Sequence, residues 1–327
     1  MSTIQANLIE PSSGTTVTLG ASGDTVALGT GAGVNFRSNR NLIINGAMQI
    51  NQRLAVGSTV TTSGIKSTDR WDVTVMGGTT HTQGVVANSV ADTLTTGASN
   101  ALKQINTGTS SATSAGAYNH YNIEAQDIRN CGWDYTSASS YVTLSFWVKS
   151  SLAGTFYSLV YLDPTDPGGP RQYSHPFIIS SANTWTNVSF SIPGNANLEF
   201  DNDNGTGLQV YMCAHLDTDY TSSSATDNAW VAYSLANTSD DYPQNWCNTA
   251  SATWEITAVQ LEVGSTATPF EHKSYGQELA ACKRYCEKLH GDTQYEMVSM
   301  QFAYNTTSTE GILYYLPKRA NPTITQY

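Results

Sequence analysis

Residues 254–291, WEITAVQLEVGSTATPFEHKSYGQELAACKRYCEKLHG, decide the fold, because they join the clearest strand pattern of the chain to its clearest helix pattern. From 254 to 263 the side chains alternate strictly between two faces. One face carries Trp254, Ile256, Ala258, Gln260 and Glu262, and the other carries Glu255, Thr257, Val259, Leu261 and Val263. Apolar residues on both faces predict a strand in one layer of a packed sandwich.

The second half of this stretch predicts a helix over residues 274–290. Ser274 begins it, and Gln277 three residues later completes the pattern of a capping box. Gly291 ends it. One apolar stripe is predicted along the helix, consisting of Tyr275, Leu279, Cys282, Cys286 and Leu289.

Three stretches, taken in chain order, resemble one known family. They are NLIINGAMQINQR followed by TDRWDV (residues 41–53 and 68–73), VTLSFWVKSSLAGTF (142–156) and VQLEVGSTATPFEHKSYGQELAACKRY (259–285). They are similar to the opening, central and closing segments of a jelly-roll domain, like that of carbohydrate-binding modules, in bacteriophage tail fibres and related virion proteins. The resemblance implies a virion structural protein, and its likeness to fibres implies a homotrimer.

Short strand patterns outside these stretches support an all-β class. Apolar runs near 71–76, 141–149, 155–162, 185–192 and 208–214 are separated by loops of turn residues. The connection SSLAG after residue 149 is of a hairpin type. With a single clear helix pattern, at the C-terminal side, the sequence predicts an antiparallel jelly-roll β-sandwich over residues 41–290.

The two flanks of this domain differ from it. TVTLG at residues 16–20 recurs as TVALG at 25–29, a short β-repeat that cannot bury a core alone. Residues 1–40 are therefore interpreted as an arm that is ordered by assembly with itself or with other virion proteins, the alternative being a flexible tail. Strand patterns return after Gly291, so residues 291–327 are interpreted as a small trailing β unit.

Composition makes several classes of partner unfavourable. The 327 residues carry a net charge of −11 with a pI near 4.8, which disfavours nucleic acid and anionic membranes as partners. No apolar run approaches membrane-spanning length. The opening MSTIQANLIEPSSG lacks the basic and apolar regions of a secretory signal, so we expect synthesis in the host cytoplasm and a final location on the virion.

Candidate glycan-binding residues lie between 220 and 246. Tyr220, Tyr242 and Trp246 stand among Ser, Thr, Asn and Asp residues, and aromatic faces beside hydrogen-bonding side chains suit sugar recognition. Trp230 and Tyr233 fall on a strand pattern and are assigned to packing. Core packing remains the alternative for each candidate taken singly.

A candidate calcium site lies in DNDNGTG, residues 201–207. Asp201 and Asp203 could supply oxygen ligands around a glycine turn, although the third acidic position and the distal glutamate of an EF-hand loop are missing. The alternative is an Asx-rich turn. No other cofactor is predicted.

The sequence leaves three functions open. The first is a non-enzymatic tail fibre or fibre-like appendage that assembles on the particle and contacts host surface polysaccharide. The second is a capsule-degrading tailspike with paired acids. The loop at residues 163–170 (DPTDPGGP) could contribute acids, but it would need a second carboxylate across a cleft, which the sequence cannot place, and a proline-stiffened loop is the favoured interpretation. The third is a connector or head-decoration protein that binds only virion proteins. The family-like stretches, the N-terminal repeat and the absence of HExxH, GxSxG and phosphate-loop motifs together favour the first.

Overall fold

The computed structural model describes residues 39–163, 165–289, 301–303, 309–311 and 315–324. Contacts divide the chain into Met1–Ser38 and Asn39–Tyr327. The repeat arm lies outside the described residues, so its structure and the domain boundaries at 40 and 290 stay predictions.

Eleven strands of the second unit form two antiparallel sheets. In chain order they are β1 (Asp72–Met76), β2 (Thr80–Ala87), β3 (Asn100–Gly108), β4 (Gly116–Glu124), β5 (Tyr141–Ser150), β6 (Gly154–Leu162), β7 (Arg171–Ile179), β8 (Thr186–Pro193), β9 (Thr206–Leu216), β10 (Trp230–Ala232) and β11 (Thr253–Val263). The six-stranded sheet has the order β1-β4-β9-β6-β7-β10 and the five-stranded sheet the order β2-β3-β11-β5-β8. One apolar core, which includes Trp71, Phe146, Phe156 and Trp254, fills the space between them. The predicted all-β jelly-roll sandwich is confirmed.

The link between β5 and β6 differs from the predicted hairpin. β5 pairs with β8 and β11, whereas β6 pairs with β7 and β9, so the two strands lie in different sheets. Residues 151–153 therefore carry the chain from one sheet of the sandwich to the other. Both strands are rich in apolar residues, and the sequence could not show which partners would bury them.

The strict alternation predicted for β11 is also wrong. A β-bulge interrupts its pairing with β5 between Thr257 and Gln260, and Ala258 has a positive φ of 49°. Because a bulge adds one residue to one strand, it exchanges the two faces. Trp254 and Ile256 enter the core before the bulge, and Val259 and Leu261 enter it afterwards.

The bulge lets the opening segment of the domain pair with β11. The Val259 amide donates to the Gly46 carbonyl at 3.0 Å, and the Leu42 amide donates to the Leu261 carbonyl at 2.9 Å. A Cβ on Gly46 would lie 2.1 Å from the Val259 oxygen, so this close approach requires glycine. The first and last segments of the domain are thereby joined.

Three α-helices accompany the sheets: α1 (Val90–Thr96), α2 (Ala125–Asn130) and α3 (Tyr275–Lys283), with a 3-10 turn at Leu235–Asn237. The capping box of Ser274 and Gln277 is confirmed at the start of α3. The helix ends seven residues before the predicted end at 290, and the predicted apolar stripe is wrong. Tyr275 is exposed, while Glu278 and Cys282 are the residues buried on α3.

Polar contacts explain why α3 docks with an acid inward. The buried Glu278 carboxylate accepts the Asn45 amide at 3.1 Å. After the helix, the Arg284 guanidinium donates twice to the buried Glu124 carboxylate, at 2.8 Å each, and the Tyr285 hydroxyl donates to the same group. Bidentate, charge-assisted bonds of this kind are both strong and directional. They fix the segment after α3 to the end of β4.

The trailing segment is described in part. β12 (Gln301–Ala303) and β13 (Thr309–Gly311) form an antiparallel pair, and the small β unit over residues 291–327 stays a prediction. Farther on, the Arg319 amide donates to the Arg284 carbonyl at 3.0 Å. In the part of the chain that the structure describes, no helix is long and apolar enough to cross a membrane.

Candidate functional site

The outer face of the six-stranded sheet carries a continuous group of aromatic side chains. Because strand side chains alternate, the core positions of β4, β9 and β6 leave the intervening residues facing outward. Tyr118 and His120 on β4 pair with Cys213 and Tyr211 on β9. Tyr161 on β6 pairs with Gln209, two residues before Tyr211 on β9. The outward rings therefore lie on adjacent strands.

Each of these rings contacts the next one across the sheet. Tyr211 stacks on His120, with centroids 4.9 Å apart and planes at 16°, and Tyr118 lies 5.3 Å from Tyr211. On the other side Tyr161 lies 4.9 Å from Tyr211, and Tyr233 lies 5.5 Å from Tyr161. We name Tyr118, His120, Tyr161, Tyr211 and Tyr233 the tyrosine surface.

The segment 217–246, between β9 and β11, borders this surface. Tyr242 packs 5.2 Å from Tyr157 and 5.3 Å from His215, both on the outer face of the sheet. Tyr157 and Tyr242 belong to a second apolar cluster outside the main core, and Tyr118, Tyr161 and Tyr211 pack against the same cluster. The segment therefore covers one part of the outer face, and its own Tyr233 extends the tyrosine surface.

Hydrogen-bonding groups flank the rings at two edges. On β1, Asp72 accepts the Thr74 hydroxyl at 2.8 Å and lies 3.8 Å from the His120 ring nitrogen. At the opposite edge the Tyr211 hydroxyl donates to Gln209 at 2.6 Å, and Gln209 donates to Asp163 at 3.0 Å. Each edge thus ends in a carboxylate.

The titration behaviour of the rings favours uncharged forms near neutral pH. Burial raises the pKa of Tyr118 to about 12 and raises that of Tyr211 as well. Burial lowers the pKa of His120, an effect that Asp72 partly offsets. At pH 7 the surface therefore presents neutral aromatic faces.

The structure places the three aromatic candidates from the sequence in two different environments. The exposure expected of Trp246 is wrong, because its side chain is 0% exposed within the main core. Tyr220 and Tyr242 are half-buried and pack in the second apolar cluster, as Tyr118, Tyr161 and Tyr211 do. Tyr233, assigned to packing, is 42% exposed and belongs to the tyrosine surface. Tyr220 and Tyr242 lie on the segment that borders the tyrosine surface, and glycan binding by them stays a prediction.

Tyr118, His120 and Tyr211 were missed, although a signal existed. In residues 117–123 the core positions Ala117, Tyr121 and Ile123 alternate with Tyr118 and His120. The alternation shows that two sets face opposite ways, but aromatic residues occur in both. Only the pairing with β9 shows which set lies beside another row of rings.

The calcium candidates lie in a turn whose contacts are now visible. The Asp203 carboxylate accepts the Gly205 amide at 2.8 Å, as in an Asx turn, and the Asp201 amide donates to the Asp166 carboxylate at 2.9 Å. Among residues that the structure describes, no three His, Cys, Asp or Glu side chains are grouped so that they could hold a metal. Calcium at Asp201 and Asp203 stays a prediction.

Comparison with known proteins gives similar structures only. No protein-family model matches the sequence, and no curated protein matches it. The structures similar to the chain include a phage tailspike domain and several carbohydrate-binding modules. The enzymatically active domain of tailspike protein 4 of bacteriophage CBA120 is 14% identical, with a TM-score of 0.35, over 68% of this chain and 21% of that one.

Two of the modules are similar over a comparable part of this chain. The family 11 carbohydrate-binding module of the cellulase Lic26A-Cel5E of Clostridium thermocellum is 11% identical, with a TM-score of 0.31, over 66% of this chain and 99% of that module. The CBM22-2 xylan-binding domain of Paenibacillus barcinonensis Xyn10C is 12% identical, with a TM-score of 0.31, over 60% of this chain and 92% of that domain.

Proposed function

We propose that this protein is a non-catalytic glycan-binding protein and that the tyrosine surface is its binding site. One observation carries the proposal, the contact of Tyr118, Tyr211, Tyr161 and Tyr233 in one row of rings across three strands and the covering segment. Rings on strands are held rigidly, so a ligand that stacks on them does not have to order them first.

The chemistry of the surface suits sugars. A pyranose ring has apolar C–H faces and a rim of hydroxyl groups, so it needs flat apolar contacts with acceptors and donors at their edges. The tyrosine surface supplies the rings, and Asp72, Asp163 and Gln209 supply carboxylate and amide groups beside them. The same chain of groups fixes the Tyr211 hydroxyl.

The direct test replaces Tyr211, which contacts three other rings of the surface. We expect Tyr211→Ala to weaken binding to a soluble polysaccharide about 10-fold or more, since an aromatic stacking contact contributes roughly 1–3 kcal/mol. Tyr275→Ala is the matched control, because Tyr275 is exposed on α3, away from this sheet face. Affinity electrophoresis in gels containing polysaccharide measures both variants. Equal losses in the two variants would count against this site.

The same assay separates binding from catalysis. We expect bound polysaccharide without new reducing ends, whereas release of reducing ends would favour the tailspike alternative. Repeating the assay with EDTA tests the calcium prediction, because loss of binding on chelation would point to Asp201 and Asp203. Absence of both binding and hydrolysis would favour the connector or head-decoration alternative.

We further propose that the protein is a homotrimeric tail fibre or fibre-like appendage of a bacteriophage virion that contacts host surface polysaccharide. The proposal rests on the resemblance of residues 41–53, 142–156 and 259–285 to that family. Residues 1–40 would join it to other virion proteins. Mass photometry tests the assembly: the full chain should be trimeric, and a chain that begins at Asn39 should be monomeric. A monomeric full chain would refute the trimer.

A further inference from the structure

We infer that the tyrosine surface selects uncharged glycans and discriminates against polysaccharides that carry carboxylate groups. This inference rests on the glycan-binding function proposed above and adds the chemical class of the ligand. Three observations carry it: the carboxylates at the two edges of the surface, the composition of the covering segment, and the direction of the hydrogen bonds between the rings and their neighbours.

The edge carboxylates stand where a bound sugar would extend beyond the rings. Asp72 lies beside His120 at the β1 edge, with about a quarter of its side chain exposed. Asp163 lies at the other edge, next to Gln209. An anionic sugar that stacks on Tyr211 would approach both negative charges, and like charges at such distances repel each other. Uncharged hydroxyl groups can instead donate to the same oxygens.

The hydrogen bonds of the surface also favour donors in the ligand. The Tyr211 hydroxyl donates its hydrogen bond to Gln209, and the Gln209 amide donates in turn to Asp163. Thr74 likewise donates to Asp72. These three donors are directed towards protein acceptors, so the carboxylate oxygens of Asp72 and Asp163 remain beside them as acceptors for ligand hydroxyl groups. A ligand carboxylate is only an acceptor and cannot bond to those oxygens.

The covering segment adds negative charge and no positive charge. Residues 217–246 contain five aspartates, Asp217, Asp219, Asp227, Asp240 and Asp241, and no lysine or arginine. Lys66 is a cation close to Asp72 at the β1 edge. Its Cε and the Asp72 Oδ2 both lie within 4 Å of the point where a Cβ on Gly64 would stand. The Lys66 charge offsets that of Asp72 but not those of the other carboxylates.

Matched polymers test this inference. Dextran, mixed-linkage β-glucan, xylan and galactomannan would each be compared with their own carboxymethyl derivatives by calorimetric titration of the full chain. At low salt, where screening is weak, we expect binding of at least one neutral polymer and about 10-fold weaker binding of its carboxymethyl form. Asp72→Asn should reduce that ratio about 3-fold, whereas Asp92→Asn, on α1 beside the other sheet, should leave it unchanged.

The outcomes separate the inference from the function on which it rests. Equal or tighter binding of the carboxymethyl forms, still abolished by Tyr211→Ala, would overturn the charge selection and leave the glycan site standing. A ratio that Asp72→Asn and Asp92→Asn change equally would also overturn it. Binding of neither form, or binding that Tyr211→Ala does not affect, would overturn both.

Discussion

Asp166 is a buried acid in the loop between β6 and β7, with only 4% of its surface exposed. One of its carboxylate oxygens accepts the Asp201 amide at 2.9 Å, and the other has no hydrogen-bond partner among the residues described. Burial is the main cause that raises its pKa to about 6; the charges of Asp163, Asp201 and Asp203 contribute to the rise, and the bond from the Asp201 amide opposes it. The ionised form is therefore unfavourable in the folded protein.

Replacing this acid should stabilise the protein above pH 6. Because the folded pKa lies above the unfolded value, the folded state holds the proton more tightly, and stability decreases as pH rises through about 6. We expect Asp166→Asn to raise the free energy of unfolding by about 1–2 kcal/mol at pH 7.5 and by much less at pH 4.5. Urea denaturation at the two pH values measures the difference.

The control for this prediction is Asp219→Asn, which removes the same charge from an exposed position. It should change stability by less than about 0.5 kcal/mol at either pH. Destabilisation by Asp166→Asn at pH 7.5 would contradict the argument. That outcome would indicate that the ionised carboxylate binds a cation, and it would favour the calcium predicted at the neighbouring Asp201 and Asp203.

At the scale of elements, the bulge in β11 is the feature on which the closing strand depends. Ala258 lies in the left-handed region at φ 49°, and its methyl group packs with Ala47 and Ala98 in a small separate cluster. The conformation is unfavourable for any residue with a Cβ and worst for a β-branched one. The bulge is kept because Val259 and Leu261 reach the core only through it.

We expect Ala258→Val to destabilise the protein by about 2 kcal/mol or more, because a β-branched side chain fits neither the positive φ nor the packed cluster. Ala258→Gly should stay within about 1 kcal/mol of the wild type, since relief of the backbone offsets the lost methyl contact. Chemical denaturation followed by tryptophan fluorescence measures both variants. Ala87→Val, at the exposed end of β2, is the control. Equal effects of the two valines would show that Ala258 is not strained.

These elements also show which parts of the fold could be predicted from the sequence. Periodicity located most strands, because each carries several apolar residues at period two and ends in turn residues. It could not find the bulge at Ala258, which depends on a close approach of Gly46 from more than two hundred residues away. It also assigned an apolar stripe to α3, whereas the helix is held by the buried Glu278 and its bond to Asn45.

The candidate site was less predictable for the same reason. Tyr118 and Tyr211 are far apart in the chain and meet only because β4 and β9 are neighbours in the sheet. The aromatic residues of the covering segment stood out because they are close together in sequence. Trp246 is among them, yet it fills the core. Local density of aromatic residues therefore located the covering segment, and long-range pairing located the surface.

At the scale of the whole molecule, four histidines among the residues that the structure describes lie in environments that disfavour their charged form. Burial lowers the pKa values of His81, His120, His175 and His215, partly offset by Asp72 at His120 and by Asp217 at His215. His81 is almost fully buried and has no hydrogen-bond partner for either ring nitrogen within the described part of the chain. Below pH 6.5 these histidines therefore bind more protons in the unfolded chain than in the folded one.

The free energy of unfolding should therefore decrease as pH falls from 7 towards 5.5, by about 1–3 kcal/mol. The loss of stability due to the histidines begins near pH 6.5, the pKa of an unfolded histidine. It exceeds the opposite effect of Asp166, which begins near pH 6, because four histidines contribute and only one Asp166 opposes them. Urea denaturation at half-unit pH steps measures the slope. His81→Gln keeps a neutral polar side chain at this site and should make the slope shallower, because one proton fewer is taken up on unfolding. If the substitution leaves the dependence of the unfolding free energy on pH unchanged, His81 is protonated in the folded protein. The other three histidines would then have to account for the loss of stability in acid.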